Sequence, residues 1–162
     1  MNFIKKQRVG FYGLIATAIL LLIGMIMFQI AFNSSEGFFA QQAPNAASNV
    51  ILLVVFAIVC LAAAIVVAQF QKDGIVGKVL AIVSDLLRVV GLVLVGLAVV
   101  QTIGAYVYDM SIWLGSDLHN GDDGVIAAIQ LALASSIVLG VGIVVGAIAS
   151  CFGIKNEEKA AE

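Results

Sequence analysis

The sequence predicts an all-α fold, an integral membrane bundle of four transmembrane helices with both termini in the cytoplasm. Three observations lead there. Of 162 residues, 62% are hydrophobic and 11% charged, with a mean hydropathy of +1.14, whereas water-soluble domains are about 45–50% apolar. The apolar residues gather into four runs, each longer than the roughly 20 residues needed to cross a bilayer. Finally, the 8 Lys and Arg residues all fall on one side of the resulting topology. Lys5, Lys6 and Arg8 precede the first run, Lys72, Lys78 and Arg88 surround the second connection, and Lys155 and Lys159 lie in the tail. The other two connections carry only acids, Glu36 in one and Asp109, Asp117, Asp122 and Asp123 in the other. Cytoplasmic loops hold the excess of Lys and Arg, so both termini and the middle turn are placed in the cytoplasm, at the cell membrane.

Span one is read as residues 9–32, with Thr17 and Gln29 as its clearly polar members. At about 24 residues it is too long for the h-region of a secretory signal, about 7–15 residues, so it reads as an uncleaved span. Residues 33–48 form an outer loop around Pro44, which breaks helix structure. Span two covers 49–70 and ends at the polar turn 71–76, which makes spans two and three antiparallel neighbours. Spans three (77–108) and four (123–154) are long. About 32 residues give about 48 Å of helix, against about 40–45 Å for a bilayer with its headgroups. Tyr106, Tyr108 and Trp113 gather at the outer end of span three, where amphipathic rings prefer the interface. The outer loop 109–122 and the tail 155–162 complete one domain over 1–162, with connections too short to fold alone.

Cys60 and Cys151 are assigned to different depths and should not pair. Three sets of residues are candidate sites. On span three Asp85 and Arg88 stand at i and i+3, with Lys78 and Ala81 continuing a narrow polar stripe. From Val89 to Tyr108 there are about 20 residues, enough to cover the core, so Arg88 is expected to snorkel to the cytoplasmic headgroups. Lys78, Asp85 and Arg88 are thus candidates for docking a partner or for an ion path. The outer loop offers Asp117, His119, Asp122 and Asp123 as a weak cation site. However, Asn120-Gly121 is a turn signal, and Asp122 and Asp123 suit the cap of span four. The third set is small residues that permit close helix approach in lipid: Ser136, Gly140, Gly142 and Gly146 in span four, with Ala128 and Ala132 before them, and Cys60 and Ala64 in span two.

Reaction chemistry is missing from the pattern. The single His lies in the outer loop, so a buried Ser–His or Cys–His pair is not available. Zinc hydrolysis wants at least three clustered ligands, and no His pair exists. Gly74-Ile75-Val76-Gly77-Lys78 is too short for a phosphate-cradling loop. No enzyme activity, no cofactor, no metal site and no nucleic-acid partner are expected.

Phe3-Ile4-Lys5-Lys6 with Gly10-Phe11-Tyr12, the segment Ser84-Asp85-Leu86-Leu87-Arg88-Val89-Val90, and Leu114-Gly115-Ser116-Asp117-Leu118 resemble a loose group of uncharacterised four-span membrane proteins of Gram-positive bacteria. That resemblance implies fold and location, and carries no activity. The cysteine patterns of tetraspanin and claudin-like proteins are absent. The expected function is a non-enzymatic accessory or scaffolding subunit in the bilayer that binds a membrane protein partner or its own copies. A small transporter or channel component with an acidic outer mouth is the alternative.

Overall fold

The computed structural model of the protein describes residues 8–34, 43–71, 74–115 and 123–154. Four helices follow one another: α1 Val9–Ser34, α2 Ala46–Gln69, α3 Ile75–Gly115 and α4 Asp123–Ser150. Each is long and apolar enough to cross a membrane, and among the described residues there is no strand. The expected four-helix membrane bundle is therefore the fold observed.

The helix ends depart from the sequence expectation in one instructive way. α3 has 41 residues, about 61 Å at 1.5 Å each, and it takes in residues 109–115, which the sequence reading gave to the outer loop. No Pro lies between Ile75 and Gly115 to break the helix, the single Pro being Pro44. Tyr106 is buried in the bundle, since it falls on the inward stripe Val95, Ala98, Thr102, Ala105.

The bundle is two helix pairs side by side. α1 packs most extensively on α4 and α2 on α3, while α3 meets α4 and α1 meets α2 over smaller areas. The α1–α4 register can be read from its close approaches. Gly10 lies under the Phe152, Gly153 and Ala149 carbonyls, Gly13 under Ala149, Gly24 under Leu139, Gly142 against Leu21, and Gly146 against Thr17. Steps of three and four on each helix thus mesh antiparallel from Gly10 to Gly24 on α1 against Ala149 to Leu139 on α4, as small residues allow where lipid gives no hydrophobic drive to association. At the end carrying the basic residues, the Arg8 N–H donates to the Ile154 carbonyl at 3.0 Å and ties the two helices together.

The α2–α3 pair is set by Gly91, which lies against Leu61, and by the Ser84 hydroxyl, which donates to the Ala64 carbonyl at 3.0 Å. Its tight turn uses Gly74 at φ +105°, a left-handed conformation that glycine adopts at little cost. Leu14, Leu21, Phe28, Val50, Val54, Leu61, Val95 and Leu139 fill the interior. Buried hydroxyls spend themselves on helix carbonyls: Thr17 on Gly13, Thr102 on Ala98 and Ser136 on Ala132 within their own helices, and Ser135 on Gly24 across α4 to α1 at 2.8 Å.

Candidate functional site

The basic end of α3 holds an ion pair between Asp85 and Arg88, and it is built differently from the expected stripe. Successive helix residues turn by about 100°, so Lys78 and Asp85, seven apart, nearly superimpose, while Arg88 stands about 60° round from Asp85. That rotation decides burial. Lys78 and Asp85 face outward, whereas Arg88 joins Ser84, Gly91 and Val95 on the inward stripe. Arg88 does not snorkel to the headgroups. Its side chain is only 9% exposed and the Asp85 side chain 70%.

The Arg88 guanidinium links three helices. One terminal nitrogen donates to the Ser150 carbonyl of α4 at 3.3 Å and lies 3.3 Å from Asp85 Oδ1; the other donates to Ser84 Oγ, also at 3.3 Å. Since the Ser84 hydroxyl donates onward to Ala64, the chain of contacts runs from α4 through α3 to α2. Ser150 is the last residue of α4, where carbonyls lack intrahelical donors and the helix dipole favours a cation. A buried arginine is thus placed where an unfulfilled acceptor exists. The bonds are long for charge-assisted ones, about 2.7–2.9 Å when tight, and Nε is buried with no partner. This is a loose clamp rather than a strong one.

The small residues predicted for helix contacts divide. Gly142 and Gly146 are used inside the bundle against α1, and Gly146 also meets Leu92 of α3. Ser136 and Ala64 are buried, as are Ala128 and Ala132. Gly140 alone of the predicted glycines has open space around it, a property shared by Gly96 and Gly104 of α3. Cys60 is half-buried and Cys151 exposed, both as free thiols. Their separation has a different cause from the one expected. The contacts Ser84–Ala64 and Arg88–Ser150 bring the two cysteines closer in depth than the predicted spans do, and what divides them is their position on α2 and α4, which are not principal neighbours.

Asp117, His119 and Asp122 lie outside the described residues. Asp123 is the first residue of α4. Among the described residues no three His, Cys, Asp or Glu side chains gather as a metal site. An open groove along Ile26, Gln29, Ile30, Asn33 and Ser34 lies on one helix, with the Gln29 amide spent on the Ala47 carbonyl at 3.0 Å.

Sequence reasoning passed over Ser84, Gly10, Gly13 and Gly24 as contact residues, whereas Ser135, one of the polar span residues expected to bond a helix carbonyl or cross to a neighbour, does so at Gly24. A signal for the glycines was present, because they fall on or beside the buried series Gly10, Leu14, Thr17, Leu21, Gly24, Phe28, Ala31, spaced by three and four. For Ser84 and the Ser150 carbonyl no local pattern exists, since each is defined by a helix distant in sequence. No family model matches this chain, and no curated protein or solved structure matches it either.

Proposed function

We propose that this is a non-enzymatic plasma-membrane protein, both termini cytoplasmic, acting as an accessory or scaffolding subunit through helix–helix contacts. The observation that carries the reading is the division of α3: inward Ser84, Thr102 and the terminal nitrogens of Arg88 are hydrogen-bonded within the bundle, while Lys78 and Asp85 point outward from an apolar helix face. An interior filled by Leu14, Leu21, Phe28, Val54, Leu61 and Leu139 offers little room for permeation, so chemistry directed outward is the better guide. Arg8 and Lys78, at one end of the described bundle, support the cytoplasmic assignment of that end.

Affinity purification of a tagged copy from its own membranes in mild detergent, with sizing and mass spectrometry, tests the proposal. A stoichiometric second protein is the expected result. A monomer with no companion overturns the subunit reading, and a pure homo-oligomer returns attention to transport.

A further inference from the structure

We infer that the outward face of α3 at its basic end, centred on Lys78, Ile82, Asp85, Leu86 and Val89, docks a helix of a different membrane protein. That helix presents a basic residue to Asp85 and an acidic one to Lys78. The inference rests on the accessory-subunit reading and adds the partner's chemistry to it.

Lys78 and Asp85 stand on one line of the helix, separated by about 10 Å along its axis. Ile82, Leu86 and Val89 are exposed between and beyond them. A helix covering this strip removes both charges from competing solvent, where a matched pair strengthens and a mismatched one is penalised.

Three occupants can be compared by charge. Lipid alone serves Lys78 well, since the cytoplasmic leaflet is anionic, but it sets like charge against the outward carboxylate of Asp85. Arg88 cannot fully answer that carboxylate, because its buried guanidinium is shared with the Ser150 carbonyl and the Ser84 hydroxyl. A second copy fares worse. Copies inserted in the same orientation and paired along α3 about an axis normal to the membrane bring Lys78 to Lys78 and Asp85 to Asp85. A different chain with the reverse order, acid nearer the cytoplasm and base about two turns deeper, satisfies both ends.

The test places a photo-crosslinking amino acid at Leu86 of the full-length protein in its native membranes, with Ile23 on the exposed face of α1 as the control position. The expected result is an adduct at Leu86, absent at Ile23, with one heterologous protein whose cross-linked helix carries an acid and a base about seven residues apart. Lys78→Glu, and separately Asp85→Asn, lower the adduct yield about tenfold or more, and reversing the partner's acid to Lys restores the yield with Lys78→Glu. An unchanged elution volume in detergent verifies that each variant still folds; Lys78 is exposed and its replacement disturbs no packed contact. Adducts with lipid alone, adducts with a second copy, or a yield indifferent to both charge changes each overturn the inference. If a stoichiometric partner co-purifies while Leu86 gives no charge-dependent adduct, the docking face is wrong and the subunit reading stands. If no partner co-purifies, both fall.

Discussion

Exchanging Gly13 and Ala149 probes the α1–α4 register directly. A methyl carbon added at Gly13 would lie 2.5 Å from the Ala149 Cβ, where unstrained carbons stand about 3.5–4.0 Å apart. An alanine methyl has no rotamer into which it can retreat, so Gly13→Ala forces the helices about 1 Å apart. Overpacking of this kind costs about 1–3 kcal/mol, and we expect about 2. Ala149→Gly removes a buried methyl and introduces a poorer helix former, at about 1 kcal/mol. In the double variant the added methyl meets the Ala149 position only at Cα, 3.4 Å away, which is a tight but ordinary contact. The pair should then cost about 1 kcal/mol instead of the additive 3, a coupling of about 2 kcal/mol. Reversible unfolding by titrating SDS into mild detergent measures all four proteins. Additive losses would refute the claim that these two positions touch.

Gly96→Ala and Gly140→Ala, which have nothing within 4 Å of the added carbon, should leave stability unchanged or raise it by up to about 1 kcal/mol in the same titration. Arg88→Met should cost about 1–2 kcal/mol, from two long hydrogen bonds and a loose ion pair, because Asp85 is 70% exposed and stays hydrated; a loss above about 4 kcal/mol would mean that the carboxylate is sealed from water. In inverted membrane vesicles, which expose the cytoplasmic face, a membrane-impermeant maleimide should label exposed Cys151 quickly and leave half-buried Cys60 unlabelled until detergent is added. Labelling of Cys151 only in right-side-out cells would reverse the assigned topology.

The fold was legible because apolar run length is a local quantity. Lipid imposes it on each span directly, and four helices resulted where four runs were read. Boundaries were less legible where aromatic residues stood at a helix end: Tyr106 is compatible with an interface by type, yet its angular position on α3 turns it into the core. Arg88 illustrates the same limit. Composition favours an arginine near an interface reaching outward, and only the arrival of α4, whose Ser150 carbonyl needs a donor, makes the inward orientation favourable. Gly142 and Gly146 were legible as contact residues because spacing alone marks them, but spacing did not distinguish them from Gly140, where an added methyl would meet nothing within 4 Å. Helix neighbours decide that difference.

The pairing of α1 with α4 also governs the order in which the molecule can be assembled. Gly10 meets Phe152 and Gly24 meets Leu139, so the most extensive helix pairing in the bundle joins α1 to α4, which is made after α2 and α3. The α2–α3 hairpin can close soon after it leaves the ribosome, its partners being separated by a single turn. Meanwhile α1 waits in lipid with its glycine face uncovered, because synthesis at about 5–20 residues per second delays its mate. During that interval the nascent chain is a hairpin with a tethered, sticky helix. Any protein that shelters the Gly10–Gly24 face over those seconds would govern the yield of the finished bundle without belonging to it.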